Sequence, residues 1–224
     1  MLMPGDESDP KFLSTLSHDL RGGLHSVQLA LDLLRRNVLD GRPMEQLLAD
    51  VELARWSLLD AGARAERIIC AERIRRGVMP VRVGEGDLVP TLQHVVRVAA
   101  GEAAAGRVRL DLPPRVMVRT DLRLAGEIAA GLLDHALRTM RGASVWVVLD
   151  AGGLLEVSSD RSWIDGSAAA MLSVATVDPP FAEPSLGLYV AAGAARLLGS
   201  AVRVISDRAV SVSLTAAPAA HRDA

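Results

Sequence analysis

The chain has 224 residues, half of them apolar, enough to bury a sizeable core in one large domain or two small ones. Its 25 basic and 27 acidic residues leave a formal net charge of −2 with no block of like charge, so it offers no phosphate-tracking surface, and nucleic acid is not an expected partner. Cys70 is the only cysteine, which excludes an intrachain disulfide and a multi-cysteine metal site; with an acidic, polar start and no run of about 18 apolar residues, we expect a cytoplasmic protein without a membrane span.

From Pro10 to about Val38 no further proline interrupts the chain, and Leu13, Leu16, Leu20, Val27, Leu31 and Leu34 recur at threes and fours or their sums. This predicts a long amphipathic helix. After a break at Asp40-Gly-Arg-Pro43, the residues Met44, Leu47, Val51, Ala54, Leu58, Ala61, Ala65 and Ile68 alternate strictly at three and four, the seam of a helical bundle. Two helices of about 28 residues, each roughly 42 Å long, form a hairpin with more apolar stripe than it can cover alone. A homodimer pairing two hairpins into a four-helix bundle would cover it. Residues 1–77 are therefore expected to be a dimerisation domain, followed by a linker over 75–80 with Gly77 and Pro80 as breakers.

From about Val81 the pattern changes. Helical stretches over 87–104, 121–140 and 185–198 alternate with β-branched runs over 108–112, 144–149, 154–158, 201–205 and 210–214. The expected fold class is α+β, with a layered second domain over 81–218 and a dispensable Ala-rich tail after Leu214.

On the first helix His18, Arg21, His25, Gln28, Asp32 and Arg35 form a polar row opposite the apolar seam, so His18 is expected to face solvent. The stretch Phe12-Leu-Ser-Thr-Leu-Ser-His18-Asp-Leu-Arg-Gly-Gly-Leu24 resembles the phosphoacceptor box of the sensor histidine kinases, F-x-x-x-L/V/I-S-H-D/E-L/I-R-x-P-L. The resemblance implies that His18 accepts a phosphoryl group on a ring nitrogen. Near neutral pH an exposed imidazole is substantially unprotonated and nucleophilic, and Asp19 is placed to accept the proton of the other ring nitrogen and hold the tautomer. The family's Thr or Asn four residues after the histidine is Gly22, so phosphatase activity by that route is not expected. The family's proline is Gly23, and a local kink there would rest on flexibility. His25 is a second candidate acceptor.

The second domain resembles the ATP-binding domain of the same family, a Bergerat-type α/β sandwich. Val118-Arg-Thr-Asp121 through His135-Ala-Leu-Arg looks like D-x-x-R-L/F-x-x-V/I/L-L/V-x-N-L-L-x-N-A-L/I-K, and Ser185-Leu-Gly187 through Leu-Leu-Gly199 looks like the family's later glycine motif. The chemistry departs from the family. Its two asparagines fall on Gly131 and His135, and imidazole prefers softer metals than Mg²⁺. Its D-x-G-x-G falls on Ser159-Asp-Arg-Ser-Trp163, where Arg161 and Trp163 replace glycines and should fill or close the pocket. Asp160 could serve the adenine contact after a one-residue slip, with His135 and Gly187 as the remaining cofactor-binding candidates.

The leading expectation is a histidine phosphotransferase built on a kinase scaffold. It would exchange phosphate with response-regulator receiver aspartates through His18, using Mg²⁺ supplied by the receiver and no cofactor of its own. Asp19 and Arg21 accompany His18 at the site, and the docking candidates are Arg21, His25, Gln28 and Arg55. Two alternatives stand beside it: an atypical ATP-dependent histidine kinase using Asp160 and His135, and a non-catalytic pseudokinase scaffold, which has no physical need for an exposed His-Asp pair.

Overall fold

The computed structural model describes residues 10–140, 142–173 and 186–216, without the side chains of 10–20 and 100–105. Ser185, and the tail from residue 217 on, lie outside the described residues. The chain forms two compact units that meet between Ile69 and Cys70.

The first unit is an antiparallel helical hairpin of α1 (Pro10–Leu39) and α2 (Met44–Arg75), the last turns of α2 belonging to the second unit. A left-handed glycine closes each helix. At Gly41 (φ 64°) the Arg42 N–H reaches back to the Asn37 carbonyl at 3.0 Å, and after Gly77 (φ 68°) the Val78 N–H reaches the Arg73 carbonyl at 3.0 Å. Both are six-to-one closures that satisfy otherwise orphaned carbonyls, and a side chain at either glycine would be strained.

The expected single seam of α2 is divided in the hairpin. Ala54, Ala61 and Ile68, spaced by seven, are half-buried or buried, whereas Met44, Val51 and Leu58, also spaced by seven, stay exposed. On α1 the buried row is Gly23, Ala30 and Asn37, and Leu24, Leu31 and Val38 are exposed one position further on. Small residues let the helices approach closely: a Cβ at Gly23 would lie 3.2 Å from the Ala61 Cβ. Near the turn, Asn37 Nδ2 donates to Asp50 Oδ2 at 2.7 Å between two buried side chains, which fixes the helix register.

The second unit is an α+β sandwich. Its sheet has the order β2 (Val108–Asp111), β4 (Val145–Leu149), β5 (Leu154–Ser159), β7 (Ala209–Ser213), β6 (Arg203–Ser206). The β2–β4 pair is parallel and the others are antiparallel. One sheet face is buried through Val145, Val147, Leu149, Leu155 and Val157, as the period-two pattern requires. α4 (Leu122–Thr139) packs on this sheet and also against α3 (Leu88–Ala105) and α6 (Leu186–Leu197). Fully buried Leu88, Leu92, Leu124, Ile128 and Leu132 anchor this layer, each worth about 2 kcal/mol of burial.

Three elements go beyond the sequence expectation. β1 (Gly84–Asp87) pairs antiparallel with β3 (Met117–Thr120), and α5 (Gly166–Ser173) follows β5. Asp121 caps α4 by accepting from the Arg123 and Leu124 N–H groups and also takes the Arg82 N–H at 2.7 Å, which ties the segment after Pro80 to the start of α4.

Candidate functional site

On the first unit, His18 and Asp19 lie on α1, and their side chains are outside the described ones. Arg21, His25, Gln28, Asp32 and Arg35 are all exposed, as their spacing predicts. His25, Gln28 and Asp32 share a shallow groove with Leu29 and Leu31. Arg55 is not part of that lining; it sits exposed on α2, 3.3 Å from Glu52 one turn earlier. Around the expected kink α1 runs without interruption, and Ser26 Oγ donates to the Gly22 carbonyl at 3.1 Å. Gly23 therefore serves the close approach of α2, a role that spacing alone does not reveal.

On the second unit, the positions of the family's nucleotide motifs converge on the packing of α4, α6 and the loop after β5. A Cβ on Gly131 would fall 2.2 Å from the Gly187 carbonyl oxygen, and one on Gly187 would fall 2.9 Å from the Gly131 oxygen. The two helices thus meet backbone to backbone, where neither position can carry a side chain without displacing the other. His135, one turn on, is buried with its ring centroid 5.8 Å from that of Trp163 at an interplanar angle of 51°.

Four residues of the stretch aligned with D-x-G-x-G behave differently. Ser159 is buried, and its hydroxyl lies 3.3 Å from Met140 Sδ on the turn that ends α4. Asp160 is exposed and accepts the Ser144 N–H at 3.2 Å, bracing the start of β4. Arg161 is exposed, so of the two bulky replacements only Trp163 enters the interior. Its Nε1–H donates to the Arg208 carbonyl at 2.7 Å, and the Trp163 and Ile164 N–H groups donate to the Asp207 carbonyl at 2.9 and 3.0 Å.

Asp165 was not among the expected residues. It accepts from the Ala168 N–H and the Ser167 hydroxyl, both at 2.8 Å, and so caps α5. These hydrogen bonds, with a smaller contribution from the His135 charge, hold its carboxyl below the usual range. The cap was legible as Asp-Gly-Ser-Ala ahead of an apolar run. Among the described residues no group of three or more His, Cys, Asp or Glu could hold a metal ion, and no helix is long and apolar enough to cross a membrane.

No protein-family model and no curated protein matches the sequence. Solved structures do match in shape. Histidine kinase AdeS of Acinetobacter baumannii is similar with a TM-score of 0.51 and 16% identity, over 90% of this chain and 98% of that one. The cytoplasmic segment of histidine kinase QseC gives 0.49 and 19% over 68% and 93% of the two chains, and a bacterial phosphotransferase 0.49 and 18% over 94% and 100%. At such identities the likeness speaks to architecture, and it is the first of the three that carries it. The chain has a histidine kinase-like α+β fold, a helical hairpin followed by an α+β sandwich.

Proposed function

We propose that this chain is a dimeric, cytoplasmic histidine phosphotransferase of two-component signalling, carrying a phosphoryl group on His18 between receiver-domain aspartates. The phosphoacceptor box around His18 and the histidine kinase-like fold support a phosphoryl carrier. In the transfer, a ring nitrogen of His18 attacks the phosphorus of a receiver aspartyl phosphate in line; the N–P bond forms as the P–O bond breaks, and the carboxylate leaves with its electron pair. Asp19 accepts the proton on the other ring nitrogen, and Arg21 lends positive charge beside the phosphoryl group. Mg²⁺ comes with the receiver, which docks along the exposed row of Arg21, His25 and Gln28, and Arg55 offers a contact on α2.

The observation that favours a phosphotransferase over a kinase is the contact of Gly131 with Gly187. An asparagine at 131 has no room, because even its Cβ would overlap the Gly187 carbonyl. Three further residues support the same reading: Ser159 is turned to Met140, Asp160 is engaged by Ser144, and His135 is buried against Trp163.

The deciding experiment is a calorimetric titration of the purified protein with Mg-ATP, run beside transfer from a phosphorylated receiver. The expected result is no saturation up to millimolar nucleotide, with label appearing on the wild type and not on His18→Ala. Saturable micromolar binding followed by autophosphorylation of His18 would instead establish the kinase reading. Label that persists on His18→Ala would move the acceptor to His25, and a wild type that takes neither nucleotide nor label would leave a scaffold.

A further inference from the structure

The five-stranded sheet of the second unit ends in two edges that are finished differently. At β6 the ladder slips between Val204 and Ser206 and α5 packs against the strand, so no straight row of backbone groups is offered there. β2, at the other end, is regular and pairs residue for residue with β4, from Val108 with Val145 to Asp111 with Val148. The Val145 N–H donates to the Arg107 carbonyl at 2.8 Å. Backbone groups alternate sides along a strand, so Arg107, Arg109 and Asp111 address β4, and the N–H and C=O of Val108, Leu110 and Leu112 point to the free edge. Side chains alternate between the two faces in the same way. Val108 and Leu112 pack on the core, yet Leu110 between them is 41% exposed although its partner Val147 is only 2% exposed. Its apolar surface is open because the sheet stops there. On the other face the Arg109 guanidinium lies 5.9 Å from the Trp146 ring and Asp111 is exposed; among the described residues neither charge has an ion-pair partner.

Val108-Arg-Leu-Asp-Leu112 is therefore a charge palindrome about Leu110: apolar, basic, apolar, acidic, apolar. We propose that β2 pairs antiparallel with β2 of a second copy of this chain about a two-fold axis at Leu110, joining two sheets edge to edge. In that register Leu110 faces its own copy and exchanges both backbone hydrogen bonds with it, Val108 faces Leu112, and each Arg109 faces the Asp111 of the other chain. Centring the axis on Arg109 or on Asp111 instead would set like charge against like, so the sequence selects one register. The strand is four residues long and buries little area, which makes the junction weak and fills it only at high protein concentration. The pairing does not depend on what His18 carries, and it uses none of the hairpin residues. With the hairpins also paired, two different two-fold contacts on one molecule build a tetramer or an open chain.

The test uses the full-length chain carrying Leu58→Glu, which puts a charge among the exposed apolar residues of the hairpin and so removes pairing through them. Sedimentation is followed from micromolar to millimolar concentration, and the expected result is a monomer that becomes a reversible dimer towards the upper end. Adding Arg109→Asp or Asp111→Arg sets like charges across the junction at both symmetric positions and should weaken that association by about tenfold or more. Mixing those two variants brings an all-acidic edge to an all-basic one and should restore a dimer of unlike chains. Leu110→Pro removes an N–H that points to the free edge, leaves the ladder to β4 intact and should abolish the association. A chain that stays monomeric at millimolar concentration overturns the proposal, as does association that charge reversal leaves unchanged or that mixing does not restore. Should Leu58→Glu already be dimeric at micromolar concentration, the same reversals decide: a dimer that they separate is the β2 junction, and one that survives them overturns it.

Discussion

At Gly131 the absence of one atom, the Cβ, sets how closely α4 packs on α6. In a helix interior, glycine to alanine normally gains up to about 1 kcal/mol from propensity. At Gly131 the added Cβ meets the Gly187 carbonyl oxygen at 2.2 Å and its carbon at 2.9 Å, backbone atoms that no rotamer change can move. Gly126, on the same helix, would meet only Thr91 Cγ2 at 3.3 Å and Val95 Cγ2 at 3.7 Å. Gly131→Ala is therefore expected to destabilise by about 3 kcal/mol through overpacking, and Gly126→Ala to be near neutral, both read by urea or thermal denaturation. Gly131→Asn, which introduces the residue that the resembled kinase motif carries at this position, should cost at least as much and confer no ATP binding. Equal stability of the two alanine variants would show that α4 and α6 do not meet as described. The sequence shows a glycine where the resembled motif has asparagine, but only the packing of α4 on α6 reveals that the glycine is required by its neighbour.

Among the elements, legibility followed the strength of the local pattern. α4 was readable from its apolar period and from Asp121 at its start, and β4 and β5 from their alternation. β1 escaped because Gly-Glu-Gly-Asp has no strand propensity; the ladder to Met117–Thr120 holds it. The α2 stripe was found, but periodicity gives an angle around an axis and not the identity of the neighbour, so its division into an inward row of Ala54, Ala61 and Ile68 and an outward row of Met44, Val51 and Leu58 could not be read. The Asn37–Asp50 pair was hidden for the same reason. The short α5 depends on its cap, which gives a pH signature. The Asp165 carboxyl is held below its ordinary value chiefly by the Ala168 N–H and the Ser167 hydroxyl. A depressed carboxyl contributes stability that is full above the unfolded value, about 4, and is lost as the pH falls through the lower folded value. Glu72, lowered chiefly by its Arg75 hydrogen bonds, acts in the same window. Asp165→Ala should thus lower the thermal midpoint at pH 7, and the gap to the wild type should narrow at pH 3; a gap that holds constant across that range would show the cap to be independent of charge.

At the scale of the whole molecule, the two units leave water unequally. The second unit encloses a core that includes Leu88, Leu92, Leu124, Ile128 and Leu132 and exposes scattered residues such as Met117 and Ile205, whereas the hairpin exposes Leu31 at 51% and Leu58 at 61%, together with Leu24, Val38, Met44 and Val51. On an antiparallel hairpin the exposed row that follows Gly23, Ala30 and Asn37 on α1 and the outward row of α2 lie on the same side, so these residues form one continuous apolar face. A face of that extent is unusual on a monomer and suits a self-complementary two-fold partner. A leucine removed from water is worth about 2 kcal/mol, and two-fold symmetry counts it twice, so Leu58→Glu should weaken self-association by about 4 kcal/mol, roughly a thousandfold, before any cost of burying charge is added. Sedimentation should find a dimer for the wild type and a monomer for Leu58→Glu at micromolar concentration. Because Ala54, Ala61 and Ile68 still hold the hairpin together, helical content should persist in that monomer; a variant that remains dimeric would place the partner on another surface, and one that loses its helices would show that the hairpin has no independent existence.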